Sequence, residues 1–185
     1  MLLARVMLLV ALCGLVAACA GGAPSPDKPI DVNTGTLPAA ASAAAEAESP
    51  LSRAVLKAVN EFRATRNVAP LSNDGTLQRA ASVHAADMQL RGFYGHHNPE
   101  GQGPRERVLV ASPAFKGKVA ENIQMVEGQT YASMSDEALA KALVDKWAIS
   151  PAHRKNMQSP DMTRSGIGIA RSGQKFIVVQ VFSGS

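Results

Sequence analysis

The stretch FIVVQVF, residues 176–182, is the feature that most constrains the fold of this chain. A strand with one face in water alternates apolar and polar side chains, whereas this run is apolar on both faces. It therefore predicts a central strand that is covered on both sides. Ile167 and Ile169 alternate on a preceding strand, and Ser172-Gly173 predicts the turn of a β-hairpin that joins the two.

Helical periodicity dominates the chain before this hairpin. Three helices are predicted by their start and stop signals, namely one from Ser49-Pro50, one from 72–74 to Gly92, and one from Ser135 to the residue before Pro151. Residues 93–117 are rich in Gly and Pro and predict a loop with a short helix at 104–110, followed by a strand at 118–126. Helices that cover a sheet of three or more strands predict an α+β fold.

Residues 1–18 predict an export signal. Arg5 supplies the positive charge, and the apolar run at 6–17 is too short for a comfortable membrane-spanning helix. The segment ends in Val-Ala-Ala before Cys19, which resembles the bacterial lipobox and predicts a membrane anchor through lipidated Cys19. Ordinary cleavage near Ala18 or Ala20 is the alternative. Residue 20 is not aspartate, so the lipoprotein sorting pattern favours the outer membrane if the host is Gram-negative. Without a lipid, we expect the protein to be secreted.

Residues 19–48 are dominated by Pro, Gly, Ala and Ser, and they predict a flexible linker before a domain at 49–185. Cys13 lies inside the signal, so the mature chain keeps only Cys19 and must be stabilised by a packed core rather than by a disulfide. The net charge is +4 and the basic residues form no run, which excludes nucleic-acid binding as an expected function. The aromatic content of 4% also argues against a carbohydrate platform.

The chain has four histidines, and their settings differ. The helical spacing of His84 places it on an apolar face and predicts a packed, hydrogen-bonded core residue. His96, His97 and His153 lie in or next to Gly- and Pro-rich loops or strand ends, as does Glu121. The side chains of the adjacent His96 and His97 diverge, so one should point inward, and the residues alone leave open which one does.

Five motifs occur in order along the second half of the chain. They are GFYGHHNPEG (92–101), VAENI (119–123), WAISPAHRKNM (147–157), SGIGIA (165–170) and FIVVQVF (176–182). Together they resemble the bacterial branch of the CAP superfamily, which is named for cysteine-rich secretory proteins, antigen 5 and pathogenesis-related 1 proteins. The resemblance runs from about Leu51 to Phe182 and implies a three-layer α-β-α sandwich.

The resemblance also implies a site. It identifies His96 as the family histidine and leaves His97 in a variable position, and it implies that Glu121 and His153 converge with His96 on a cleft. Asn122 and Ser150, their neighbours in the sequence, are further candidates for lining it. Two imidazoles and a carboxylate suit Zn²⁺, with His96 and His153 as the expected metal ligands. The second glutamate of the animal and plant branches has no counterpart here, because the third helix ends Trp-Ala-Ile-Ser at 147–150.

Three functions follow as hypotheses. The expected one is a lipid-anchored envelope protein whose cleft binds a metal ion, a small lipid- or peptide-like ligand, or both. The alternative is a zinc-assisted hydrolase, of peptidase or cell-wall amidase type, with Glu121 as general base. The third is a structural or stress-related envelope protein in which the His and Glu side chains form only a hydrogen-bond network. The missing second acid favours the first and third.

Overall fold

The structure is a computed structural model that describes residues 36–45 and 47–185. The predicted signal, the lipobox with Cys19 and the first part of the predicted linker lie outside these described residues. In the part of the chain that is described, each helix is too short or too polar to traverse a bilayer.

Seven helices and four strands make up the described chain. The helices are α1 (Ala39–Ala44), α2 (Pro50–Ala64), α3 (Gly75–Arg91), α4 (Pro104–Ala111), α5 (Gln129–Ala132), α6 (Asp136–Ile149) and α7 (Pro151–Gln158). The strands are β1 (Ser72–Asn73), β2 (Lys118–Glu127), β3 (Met162–Ser172) and β4 (Lys175–Gly184).

The four strands form one sheet in the order β1-β3-β4-β2. The short β1 runs parallel to β3, and the other neighbours are antiparallel. The strand β4 lies between β3 and β2, which confirms the central position predicted from its sequence. Its register with β2 places Glu121 opposite Val181 and Asn122 opposite Gln180.

Helices cover both faces of the sheet, and this confirms the α+β class and is consistent with the three-layer sandwich. On one face, β4 contributes Val178 and Phe182 to a core shared with α2, α6 and Met157 of α7. On the other face, Ile177 and Val179 of the same strand pack with residues of α3 and α4. The alternation along β4 thus explains why its sequence is apolar on both faces.

Local signals set the helix ends as predicted. The Ser49 hydroxyl accepts a hydrogen bond from the Ser52 amide at 3.1 Å, and the Ser52 hydroxyl accepts one from the Ser49 amide at 2.8 Å, so that a capping box begins α2. The carboxylate of Asp74 caps α3 by accepting from the backbone amides of Thr76 and Leu77. Gly92 ends α3 with φ of 69°, a left-handed conformation that glycine adopts without strain.

Helix α7 differs from the prediction. Pro151 ends α6 as expected, but it also occupies the first turn of α7. Ser150 has an extended backbone and serves both helices, so the chain turns sharply there and continues as a helix. A proline lacks the N–H that a first-turn residue does not need, and it is therefore well suited to this position. His153 consequently lies in a helix rather than in a loop or at a strand end.

Helix α1 falls within the range predicted to be a linker. Its Ala41 is 1% exposed and packs with Val83 and Ala86 of α3. The boundary at residue 49 stays a prediction, but residues before it contact the domain.

Candidate functional site

The loop between α3 and α4, residues 93–103, carries the two adjacent histidines. His84 in α3 fixes its start, since the ring Nε2 lies 2.8 Å from the carbonyl oxygen of Gly95. Arg107 in α4 fixes the rest by donating from Nη1 to the carbonyls of His96 at 2.9 Å and Gln102 at 2.6 Å. The loop is therefore held from the helices on both sides of it.

Glu121 on β2 is the centre of the polar cluster. Its Oε1 accepts a hydrogen bond from His96 Nδ1 at 2.9 Å, and its Oε2 accepts one from Arg107 Nη2 at 2.6 Å. Both the Glu121 and the Arg107 side chains are 1% exposed. Burial raises the pKa of Glu121, but the hydrogen bond from His96 and the charge of Arg107 outweigh it, and the pKa of this carboxyl is lowered. Glu121 is therefore ionised at neutral pH.

His97 points elsewhere. A Cβ built on Gly103 would lie 3.1 Å from His97 Nε2, which shows that the ring rests against the start of α4. The structure thus resolves the question that the residues left open: His96 contacts Glu121, and His97 does not take that place.

The backbone of His153, on α7, contacts the residue that follows Glu121 on β2. Its carbonyl oxygen accepts from the Asn122 side chain at 3.1 Å. Asn156, one turn further on, donates to the Asn122 side chain at 2.9 Å and to the carbonyl of Glu121 at 3.2 Å. Burial, and then the charge of His96, lower the pKa of His153. This helix is therefore tied to β2 beside Glu121.

The two remaining candidates for lining a cleft have supporting positions. Asn122 is fully buried and does not contact solvent. Its side chain holds α7 against β2, because it donates to the carbonyl of His153. The backbone amide of Ser150 donates to the carbonyl of Trp147 at the end of α6, and its carbonyl accepts from the backbone amide of Arg154 in α7. His84 is fully buried and hydrogen-bonded, and this confirms that it is a core residue.

The residues fit a zinc site with three protein ligands poorly. Among the described residues, no group of three or more His, Cys, Asp and Glu side chains is arranged to hold a metal ion. Both oxygens of Glu121 are engaged, one by Arg107 and one by His96, so this carboxylate is not a free ligand. The same engagement and the lowered pKa make Glu121 a weak base, and the structure gives the hydrolase alternative no support.

Arg107 and Asn156 are the site residues that sequence reasoning missed. An arginine in a short helix is normally exposed. The one signal for the burial of Arg107 is the adjacent apolar run VLV at 108–110, which indicates that this end of α4 faces the interior. Asn156 stands among polar neighbours in α7, and nothing in the sequence distinguishes it from them.

Comparison with known proteins supports the fold. The uncharacterized protein YkwD of Bacillus subtilis (strain 168) is 29% identical over 133 residues, which are 70% of this chain and 48% of the relative. The chain thus spans about half the length of that curated relative.

Solved structures with low identity share the architecture. An outer surface protein from Borrelia burgdorferi superposes with a TM-score of 0.62 at 18% identity, over 75% of this chain and 96% of that one. An extracellular protein containing a SCP domain from Bacillus anthracis gives 0.56 at 20% identity, over 76% and 45% of the two chains. NaASP2, crystallised with Zn²⁺, gives 0.52 at 14% identity, over 72% and 80%.

The family follows from the match to its sequence model. The model of the cysteine-rich secretory protein family, CAP, matches residues 56–182, which is more than half of the chain and includes His96, Glu121 and His153. These residues lie on the loop, the strand and the helix that build the polar cluster described above. The chain belongs to the CAP family of cysteine-rich secretory proteins.

Proposed function

We propose that this chain is an exported envelope protein whose CAP domain binds ligands rather than cleaving them. Its His96 and His153 bind a divalent metal ion such as Zn²⁺, and Glu121 orients His96 without being a ligand. The hydrogen bond between His96 Nδ1 and Glu121 Oε1 is the observation that carries this proposal.

That hydrogen bond selects a tautomer. A carboxylate accepts only, so in the neutral imidazole of His96 the proton lies on Nδ1 and the lone pair on Nε2. Metal-binding histidines commonly donate their other ring nitrogen to a carboxylate in this way. The His96 side chain is 47% exposed, and its Nε2 has no hydrogen-bond partner within residues 36–45 and 47–185. Burial, and then the charge of His96, lower the pKa of His153, and a lowered pKa favours the neutral imidazole that coordinates a metal. Water would complete the coordination.

Calorimetric titration of the purified protein with Zn²⁺ tests this proposal. We expect His96→Ala and His153→Ala each to abolish binding, while His97→Ala, the neighbouring histidine, keeps the affinity of the parent protein. Affinity should fall below about pH 6, because protonated imidazoles cannot coordinate. Absence of binding by the parent protein, or its loss in His97→Ala, would refute the metal site.

A second binding function, for a small lipid- or peptide-like ligand, is supported by a groove between α2 and α6. The groove has a volume of about 460 Å³, within the range of small-molecule sites. It combines apolar side chains with a charged rim; its lining includes Ala54, Ala58, Phe62 and Val144 together with Lys57, Glu61, Lys141 and Asp145.

Filling the groove tests this second function. We expect Ala58→Trp to reduce binding of a fluorescent fatty acid several-fold, because the indole occupies the apolar part of the groove. Ala111→Trp, at an exposed alanine in α4, is the control. Equal binding by both variants would mean that the groove is not where the probe binds.

Export and lipid anchoring through Cys19 complete the proposal. Their support is the signal-like segment and the lipobox-like residues. In addition, one protein of similar fold is an outer surface protein and another is extracellular. Cys19→Ser should move the protein from the membrane to the soluble fraction and prevent labelling by a radioactive fatty acid. Membrane retention of this variant would exclude the lipid anchor.

A further inference from the structure

We propose that residues 36–45, named here the docked segment, support the metal site, and that releasing them from α3 weakens it. This inference rests on the proposed metal-binding function of His96 and His153. It concerns a part of the chain that precedes the residues matched by the family model, which begin at 56.

The docked segment depends on α3 for its structure. A helix of six residues such as α1 is too short to be stable by itself in water. Ala41 is buried against Val83 and Ala86, and Leu37 and Ala45 are partly buried on the same cluster. With three buried side chains this cluster is small beside the two main cores, so the contact can be released without unfolding the domain.

A hydrogen bond connects the docked segment to the loop that carries His96. The carbonyl of Thr36 accepts from Gln102 Nε2 at 2.9 Å. Gln102 is 1% exposed, and its side-chain oxygen accepts from Asn98 Nδ2 at 2.8 Å. The backbone amide of Gln102 donates to Asn98 Oδ1 at 2.8 Å. Gln102 therefore fixes the geometry of the loop after the histidines, and Thr36 helps to fix Gln102.

The connection continues into the site through Arg107. Its Nη1 donates to the carbonyls of both Gln102 and His96, while its Nη2 donates to Glu121. Glu121 in turn orients the His96 ring. A metal site depends on ligands held in place by such outer contacts, and a looser loop lowers its affinity. Gln102 is thus a positioning residue, and the docked segment acts on the site through it.

Two neighbouring alanines of α1 provide the test in the full chain. Ala41→Glu places a charge in the interface with α3, whereas Ala40→Glu adds the same charge at an exposed position of the same helix. We expect Ala41→Glu to weaken Zn²⁺ binding by about three- to tenfold, less than the loss of a residue that hydrogen-bonds a ligand directly. Amide exchange over residues 93–103 should rise as well. Ala40→Glu should match the parent protein in both measurements.

The results separate this inference from the proposal beneath it. If the parent protein binds Zn²⁺ and Ala41→Glu binds it equally well, the coupling is refuted while the metal site stands. If the parent protein binds no metal, the proposed function fails, and the claimed weakening of a metal site fails with it. Exchange over residues 93–103 then tests only the link between α1 and the loop: faster exchange only in Ala41→Glu supports that link, and unchanged exchange overturns it. Equal effects of both variants also overturn it.

Discussion

Arg107 donates three hydrogen bonds from one buried position. It neutralises Glu121, and it holds two loop carbonyls that set the path of the chain past His96. Burial lowers the pKa of Arg107, yet a guanidinium stays protonated at neutral pH. The cluster is therefore a buried ion pair in which the guanidinium also donates to the backbone, and removal of either partner leaves an uncompensated group.

The consequence is a large effect of removing this guanidinium. Arg107→Met should lower the free energy of unfolding by about 3–5 kcal/mol, because the Glu121 charge stays buried without its cation. Urea unfolding at pH 7 measures this change. Arg105→Met, at an exposed position of the same helix, should change stability by about 1 kcal/mol or less. Equal losses in the two variants would show that the buried pair is not what stabilises the loop.

His84 supplies a pH dependence that can be isolated. Burial, followed by the charge of Arg107, lowers the pKa of His84 from 6.5 to about 4. Between these values the unfolded chain binds a proton that the folded protein does not, so stability rises with pH across this window. The stability that depends on a neutral His84 is fully present above pH 6.5 and is lost as the pH falls toward 4. This shift of the pKa corresponds to about 3 kcal/mol.

Replacing His84 by glutamine should remove this dependence. An amide can still donate to the Gly95 carbonyl but does not titrate. We expect the difference in unfolding free energy between the parent protein and His84→Gln to change by up to about 3 kcal/mol between pH 7 and pH 4. His97→Gln, at an exposed residue, should run parallel to the parent protein. A His84→Gln curve parallel to the parent curve would contradict the buried neutral histidine.

At the scale of the elements, α3 packs closely against β3. The glycines of the SGIGIA motif allow it, since a Cβ on Gly166 would collide with the backbone of Leu77 and Gln78. The Gln78 side chain adds a donor and an acceptor to the backbone of Ile167 across the same contact.

Gly166→Ala should therefore lower the unfolding free energy by about 3 kcal/mol or more, because a helix backbone cannot move aside as a flexible side chain can. Chemical denaturation measures it. The control is Gly75→Ala at the start of α3, where a Cβ meets no atom within 4 Å. We expect this control to be neutral or slightly stabilising. If Gly166→Ala were equally harmless, α3 would not lie as close to β3 as described.

Elements with local signals could be predicted from the sequence, and elements decided by distant contacts could not. The capping residues Ser49 and Asp74 and the left-handed Gly92 act within a turn of the helix ends that they define. By contrast, Pro151 carries the same local signal whether a loop or a new helix follows it. The helix α7 forms there because Met157 enters the core, and that contact is set by the whole fold.

The site divides in the same way. The motifs placed His96 and Glu121 in one cluster, and the structure shows them in direct contact. The role of Arg107 was invisible, because a buried arginine is recognised only by the carboxylate that it meets, and that carboxylate lies on another element. The engagement of Glu121 by Arg107, which leaves the general-base alternative without support, could not be predicted for the same reason.

At the scale of the whole molecule, the two main hydrophobic cores include none of His96, Glu121 and His153. The two main hydrophobic clusters lie on the two faces of the sheet and consist of aliphatic and aromatic side chains that need no metal. A metal at His96 and His153 would therefore be a ligand of a folded protein and not a structural ion.

Metal removal should accordingly leave the domain folded. With a chelator in excess, we expect an unchanged circular dichroism spectrum. The melting temperature should fall only because the stabilisation by the bound metal is lost. That stabilisation is about 2.7 kcal/mol if the free metal had been at 100 times its dissociation constant. Unfolding by the chelator, as in small zinc-dependent domains, would contradict this separation.

The most direct test of the whole account is a nitrogen-15 NMR measurement on the imidazole rings of the four histidines during titration with Zn²⁺. Before metal is added, His96 should show a proton on Nδ1 and a free Nε2. On addition, Nε2 of His96 and the ring of His153 should shift together, while His84 and His97 stay unchanged. A proton on Nε2 of His96 in the free protein, or a response of His97 in its place, would contradict the account.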